Sequence, residues 1–393
     1  MTSRIVELLS DQHGPNLNIV DQILINLGIA EIFELHATCR SLRWLIRHMT
    51  ESPYLLNIDA HLQRFSNDAT HFRYALGKCD GLIKGAFVRN FLAFDSPASS
   101  KLVITLEQGR RAEAFVEYLK RYECYGLWGL GSGRTRVYTR TTHPDVSIHI
   151  NLVNSPIVDI INMAQSSTDL VFISWNKIYC LLPLPTIKRH KFFAFKPFDV
   201  DMRSTLREYK AAGWTIRDLV WPDKARELTH REALQQIGGQ RSLVIDLANP
   251  PRGEFTPDHV LENNVFSLDW SKGFPHGRRR LIVGALLLDE KPTLQHMYTT
   301  GRVGMAQASW KQFLEEKLAH WEHIQISKIF HELDPSFCRS TWYTCPVCES
   351  FVTSTWDYAD EHISTWFQEW RNQEATLALL PSAPKDSSEM IER

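Results

Sequence analysis

The sequence predicts an α+β protein: a small helical unit, then a mixed-sheet body with helices packed on it, then a helical C-terminal region. Apolar residues recur at helical spacing over 17–49. Strand and helix patterns alternate from about 101 to 182, which favours a mixed sheet. A helical pattern returns over 306–325. The predicted boundaries are 1–50, 51–300 and 301–380, with a Pro-, Ser- and charge-rich tail at 381–393 that we expect to be disordered.

Composition excludes several classes of protein. The 393 residues are 44% hydrophobic and 23% charged, as in a soluble globular protein, and the net charge of −1 gives no general attraction to nucleic acid or anionic membrane. No apolar run approaches the roughly 18–20 residues that span a bilayer, and the first residues do not resemble a secretory signal. Seven irregularly spaced cysteines favour a reducing compartment. We therefore expect a cytoplasmic or nuclear protein.

The elements follow from local patterns. The N-terminal unit is predicted as three short helices, the first of which ends at Gly28 and the third of which carries Leu42, Leu45 and Ile46. The apolar run RLIVGALLL at 280–288 predicts a buried strand. Strands are predicted at 101–107, 135–142, 146–153, 170–175, 177–182, 241–248, 265–270 and 279–289. Helices are predicted at 56–78, 83–93, 109–122, 156–165, 203–212 and 306–325.

Residues 19–46 resemble an F-box, a three-helix unit. The matching positions are Ile19, Asp21, Ile23, Leu24, Leu27, Leu35, Cys39, Leu42 and Ile46. The proline of the family's opening Leu-Pro is missing, because Ile19-Val20 stands there. The resemblance implies that an apolar face binds the adaptor subunit of a cullin-based ubiquitin ligase. The residues expected to bind this partner are Ile19, Ile23, Leu24, Leu27, Leu35, Leu42 and Ile46. The alternative is an ordinary three-helix cap on the following domain.

The body resembles fungal proteins in which an F-box-like start precedes a nucleotidyltransferase-like domain. The resemblance covers most of 80–300. It depends on Gly85-Ala86 before an apolar helix, SSKLVI at 99–104, Ser155-Pro156 with Ile160-Ile161, Phe172-Ile173, and the ending WDYADE at 356–361 with Trp366-Phe367 and Trp370. It implies a mixed sheet with an active-site position after Gly85.

The carboxylates of such a site are missing. In active relatives an Asp-x-Asp strand presents two carboxylates on one face to bind the magnesium that phosphoryl transfer requires. Lys101 and Val103 occupy those positions here, so the sequence predicts a pseudoenzyme without catalytic magnesium. Asp95 and Glu107 lie at the wrong spacing. Asp145 or Asp159 could supply a third acid, which alone does not restore a two-metal site.

Other catalytic signals are weak. The glycines at 129, 131 and 133 are followed by a strand pattern rather than a helix, which favours a hairpin connection over a phosphate-binding loop. His149 alternates with apolar neighbours, which favours a strand residue with a satisfied hydrogen bond over a catalytic base. The sequence contains no P-loop, no Gly-x-Ser-x-Gly and no His-Glu-x-x-His.

The turn Cys345-Pro-Val-Cys348 is similar to the first half of a zinc finger. His362 is a third candidate ligand, and Cys338, or less favourably His331, is a fourth. A structural zinc is one interpretation, and a reduced turn packed beside Trp342 and Trp356 is the other.

The leading functional expectation is therefore a non-catalytic interaction protein that recruits an unidentified protein substrate to a ubiquitin ligase. The alternatives are a regulatory scaffold, nuclear or chromatin-associated, without that role, and, least favoured, an active nucleotidyltransferase. The C-terminal tryptophans could anchor a partner, but large aromatic residues more often fill a core. Membrane and nucleic-acid partners are not expected.

Overall fold

The structure is a computed structural model that describes residue 9 and residues 17–94, 100–131, 134–196, 202–211, 213–217, 234–270, 281–302, 305–332 and 356–379. The chain divides into two compact units. The first contains Met1–Leu287 with Tyr298–Gly304, and the second contains Leu288–Met297 with Met305–Arg393. Helices come first, then sheets, then helices again, so the α+β prediction is confirmed. The predicted segment 1–50 lies in the first unit together with residues 51–287 and 298–300 of the predicted segment 51–300.

The helices are α1 Leu17–Asn26, α2 Ile29–Thr38, α3 Leu45–Glu51, α4 Ile58–Leu62, α5 Ala69–Lys78, α6 Ala86–Leu92, α7 Arg110–Arg121, α8 Pro156–Met163, α9 Met202–Ala211, α10 Asp258–Glu262, α11 Met305–Glu332 and α12 Ile363–Leu379. The strands are β1 Leu82–Lys84, β2 Lys101–Glu107, β3 Tyr125–Leu130, β4 Thr135–Arg140, β5 Ser147–Val153, β6 Val171–Ile173, β7 Lys177–Cys180, β8 Lys191–Phe193, β9 Thr215–Arg217, β10 Leu234–Gln236, β11 Leu243–Asp246, β12 Val265–Trp270, β13 Leu281–Leu287 and β14 Thr299–Gly301.

An eight-stranded sheet forms the centre of the first unit, in the order β11-β7-β6-β1-β2-β5-β4-β3. Strands β2 and β5 pair in parallel, and the other neighbours pair antiparallel. A four-stranded sheet has the order β10-β12-β13-β14, and β8 pairs with β9. The predicted hairpin connection between β3 and β4 is confirmed, since these strands pair and the Gly131 N–H donates to the Thr135 carbonyl at 2.9 Å.

Because side chains alternate along each strand, the two faces of the large sheet pack in two different cores. Ile83, Ile104 and Ile150 contact the first core, which also contains Val20 and Leu24 of the N-terminal helices. Leu82, Phe172 and Tyr179 lie on the opposite face, in a second core with residues of α8 and of the four-stranded sheet. The N-terminal helices and the central sheet are thus parts of one continuous core.

One buried arginine joins three separate segments of the first unit. The Arg73 side chain is 1% exposed and pairs with Asp59 Oδ1 at 2.9 Å. Its guanidinium also donates to the carbonyl oxygens of Trp175 at 2.8 Å, Ala248 at 3.0 Å and Asn249 at 3.3 Å. Helices α4 and α5, the β6–β7 connection and the segment after β11 therefore share one charged group.

Three local predictions were wrong. The predicted helix 83–93 begins only at Ala86, because Leu82–Lys84 forms a strand between β2 and β6. The strand at 281–287 is not wholly buried, since Ile282 and Leu286 are each 44% exposed. In the N-terminal unit, Leu42 lies in a short 3₁₀ turn at Arg40–Leu42 rather than in α3.

The second unit has an aromatic core. Trp310 of α11 packs against Phe367 and Trp370 of α12, with ring centroids 5.0 and 5.6 Å apart. Trp356 and Trp366 are also buried, whereas Trp321 is half-buried, so the interpretation as core residues is confirmed for Trp310, Trp356, Trp366 and Trp370. The Asp360 carboxylate accepts hydrogen bonds from the backbone N–H groups of Gln295 and His296.

Within the residues that the structure describes, no helix has both the length and the apolar character needed to cross a membrane.

Candidate functional site

The candidate site lies on the face of the large sheet opposite the first core, where β1, β2 and β5 are neighbours. Val103 of β2 is directly opposite Lys84 of β1 on one side and His149 of β5 on the other. Lys101 lies two residues earlier on the same face and is opposite Ser147. The fold therefore brings a lysine, a valine and a histidine into one row across the sheet.

Gly85 connects this row to α6. Its φ of +88° and ψ of −150° lie in a region that only glycine occupies readily. A Cβ atom at Gly85 would lie 3.8 Å from Val103 Cγ2, which is ordinary contact. The need for glycine therefore comes from the backbone conformation rather than from lack of space. Gly85, Ala86 and Val103, which the sequence predicted to belong to one site, are adjacent in the structure.

An ion pair occupies the side of the row nearest α8. Lys84 Nζ lies 2.7 Å from Asp159 Oδ2, and the two side chains are only 19% and 18% exposed. Asp159 is in the first turn of α8, where a carboxylate is also favoured by the helix dipole. The carboxylate that could have served as a third metal ligand is therefore neutralised by the protein's own ammonium group.

The remaining polar groups of the row do not create an acidic site. Partial burial lowers the pKa of Lys101 from its ordinary value. Burial and then the charge of Lys101 lower the pKa of His149 to about 4, so this imidazole is neutral at pH 7. His149 Nε2 lies 3.2 Å from Ser147 Oγ, which confirms the prediction of a strand histidine with a hydrogen-bond partner.

The residues present do not fit a magnesium ion. Magnesium binds carboxylate oxygens in near-octahedral geometry, but Asp159 is engaged by Lys84, and the described residues contain no group of three His, Cys, Asp or Glu side chains that could hold a metal ion. Glu107 is at the far end of β2, about 13 Å along the strand from Val103. Asp145 is paired with Arg64 at 3.3 Å. Asp95 lies outside the described residues.

The residues predicted to bind an adaptor differ in how exposed they are. Leu24 and Leu42 are buried in the first core, with 0% and 1% of their surface exposed. Ile19 is 52% exposed on the outer face of α1. The acid of the F-box-like pattern, Asp21, is buried and lies 2.7 Å from His48 Nε2. Half-buried positions packed against the first core are Ile23, Leu27, Leu35 and Ile46.

The predicted zinc ligands lie mostly beyond the described residues. Cys338, Cys345 and Cys348 are outside them. His362 is described, and its ring lies 4.6 Å from the ring of Trp321 and 5.7 Å from that of Trp366. No group of three His, Cys, Asp or Glu side chains in the described ranges is arranged to hold a metal ion. Structural zinc at Cys345 and Cys348 stays a prediction.

Comparison with protein-family models, curated proteins and solved structures finds no match for this chain. The two family resemblances therefore stay predictions.

One member of the site was missed by sequence reasoning. Lys84 was assigned to a helix that was predicted to begin at residue 83, so its place opposite Val103 was not anticipated. The signal was the apolar pair Leu82-Ile83, separated from Gly85 only by Lys84, which is typical of a short strand that ends in a sharp turn.

Proposed function

We propose that this chain is a non-catalytic interaction protein that recruits a protein substrate to a cullin-type ubiquitin ligase. The N-terminal helices would bind the adaptor subunit, and the sheet body would bind the substrate. The compartment that fits this role is the cytoplasm or the nucleus.

The observation that supports the non-catalytic part is the Lys84–Asp159 ion pair beside Lys101 and Val103. A two-metal site concentrates carboxylates so that divalent cations can neutralise the phosphate oxygens. This site contains two lysine ammonium groups and a neutral imidazole instead. Even the remaining carboxylate has a permanent cationic partner, so a metal would have to displace Lys84 to bind it.

The adaptor-binding part is supported by the three short helices and by Ile19. An aliphatic side chain more than half exposed on the outer face of α1 is a natural contact for a partner's apolar surface. Leu24 is unsuitable for testing this idea, because a charge at a fully buried position would disrupt the fold.

The test uses the full-length chain with the substitution Ile19→Asp. We expect wild-type protein to co-purify with the ligase adaptor and Ile19→Asp to lose most of that binding while keeping the wild-type unfolding midpoint. Asn18→Asp, which adds the same charge at a neighbouring exposed position, is the matched control. No adaptor binding by the wild-type chain would refute the ligase role. Nucleotide transfer to any acceptor with Mg²⁺ or Mn²⁺ would refute the non-catalytic role.

A second candidate is a regulatory scaffold without a ligase role. The specific observation in its favour is that Val20, Leu24 and Leu42 share one continuous core with the sheet, as a structural cap would. This alternative would be favoured if the wild-type protein is folded but does not bind the adaptor. The variant Ile19→Asp should then be as stable as the wild type and should also not bind the adaptor.

A further inference from the structure

The hairpin of β3 and β4, at one end of the large sheet, exposes three large apolar side chains that do not pack in either core. Trp128 is 79% exposed, Leu130 is 78% exposed and Leu127 is 56% exposed. None of these side chains contributes to the first or second core. We call this set, together with Arg134 and Arg136, the hairpin surface. Contiguous exposed apolar groups on a folded unit typically mark an interaction site.

The geometry of the hairpin places apolar and cationic groups side by side. Leu130 is directly opposite Arg136, so their side chains lie on the same face. Leu127 is opposite Tyr138, two residues along β4, and therefore lies on that face as well. The register shifts between Leu127 and Gly129, so Trp128 occupies a bulge with no residue opposite it. A bulge directs a side chain away from the regular pleat, which agrees with the high exposure of this indole.

Among the described residues, the exposed charges of the hairpin surface have no counterion. Residues 124–142 contain three arginines and no acidic residue. Arg140 is buried and paired with Glu123 at 2.9 Å. Arg134 and Arg136 are exposed, and no carboxylate of the described residues lies within ion-pair distance of either guanidinium. A binding partner that fits this surface must therefore supply negative charge beside apolar groups.

We propose that the hairpin surface is the docking site for an extended, acidic segment of a partner protein. Its apolar side chains would contact Trp128 and the two leucines, and its carboxylates would pair with Arg134 and Arg136, which bind carboxylates in bidentate geometry. Strand β3 ends the sheet order, so its outer backbone groups can pair with an extended chain over the short stretches on either side of the bulge.

The two leucines favour a protein over a nucleic acid. A single-stranded nucleic acid would use the indole and the guanidinium groups by stacking and phosphate pairing, but aliphatic side chains add little to base stacking. A second copy of the chain is disfavoured, because it would bring its own unpaired arginines to the same surface. The inference does not depend on the adaptor proposal, since it concerns a separate part of the first unit.

The test is a selection from a random peptide display library on the full-length chain. We expect the selected peptides to combine Asp or Glu with Leu, Ile, Val or Phe. For a selected peptide, Trp128→Ala and the pair Arg134→Glu/Arg136→Glu should each weaken binding tenfold or more, and binding should weaken with added salt. Tyr54→Ala and Arg110→Glu change exposed residues of similar type elsewhere and should leave binding unchanged. All variants change exposed side chains, so each should keep the wild-type unfolding midpoint.

Three results would overturn the proposal. Selected peptides could lack acidic residues, or could bind the hairpin variants as well as they bind the wild type. An oligo-dT strand could bind the wild type and lose that binding in the same variants, which would identify a nucleic-acid platform. Sedimentation could show self-association that Trp128→Ala abolishes, which would identify a second copy as the occupant.

Discussion

A carboxylate–cation pair lies on each face of the large sheet, Glu123–Arg140 on one and Lys84–Asp159 on the other, and these two pairs differ in how they are surrounded. On the face of the first core, Glu123 and Arg140 are 2% and 6% exposed and lie 2.9 Å apart. Glu123 also accepts hydrogen bonds from the Tyr118 hydroxyl and the Asn67 N–H, each at 2.7 Å. On the opposite face, Lys84 and Asp159 are about three times as exposed as Arg140. Within the described residues, the two charged groups bind each other and have no further side-chain partner.

This difference separates a pair inside a buried hydrogen-bond network from a pair close to solvent. Arg140 additionally donates to the Phe65 carbonyl and packs over the Tyr125 ring with its Cζ 4.5 Å from the centroid. A buried pair with such a network is costly to break, because the surviving charge cannot reach water. The Lys84–Asp159 pair is nearer to solvent, so its loss leaves groups that water can partly satisfy.

Removing Arg140 should have the largest effect. We expect Arg140→Met to lower the free energy of unfolding by about 3–5 kcal/mol, because Glu123 would stay buried without its cationic partner. Urea denaturation of the full chain measures this loss. The double variant Glu123→Gln/Arg140→Met should recover part of it, and a single variant that loses less than about 1 kcal/mol would show that the pair is not structural.

Removing Lys84 should have a smaller effect. We expect Lys84→Met and Asp159→Asn each to cost about 1–2 kcal/mol in the same assay, since each leaves one partly buried polar partner unpaired. The double variant should cost less than the sum of the two, which measures the coupling between the groups. Strictly additive losses would indicate that the two side chains do not interact in solution.

The smallest effect concerns His149 and appears only in acid. Burial and Lys101 hold the pKa of His149 at about 4 in the folded chain, against an ordinary value of 6.5. Between these values the unfolded chain binds a proton that the folded chain does not, so the stability from this residue is present above 6.5 and is lost as the pH falls towards 4.

His149→Gln should therefore flatten the dependence of the urea midpoint on pH across that window. His143→Gln, which changes an exposed histidine between β4 and β5, is the control and should keep the wild-type slope. Equal slopes for wild type and His149→Gln would show that the imidazole is not desolvated in the folded state.

Sequence reasoning recovered the strands that alternate cleanly and missed some of those that are short or contain glycine. Strands β2, β5 and β12 were predicted almost to the residue because apolar residues recur at every second position along them. Strand β1 was missed because three residues carry too little periodicity, and β3 was missed because Gly126 and Gly129 weaken its strand pattern.

The residue types at the candidate site could be read from the sequence, but their contacts could not. Lys101 and Val103 were identified from a short pattern at fixed spacing. The pairing of Lys84 with Asp159 joins residues 75 positions apart, and local patterns carry no information about such contacts. The exposure of Trp128 could not be predicted from the sequence either, because it depends on a bulge at the edge of the folded sheet.

The guanidinium of Arg73 has a consequence for how the first unit opens. Its hydrogen bonds reach Asp59, Trp175 and Ala248, so the detachment of any one of the three segments takes a hydrogen bond from a buried charge. Amide hydrogens near all three should therefore exchange with deuterium at one common rate, as a single cooperative block of the native protein.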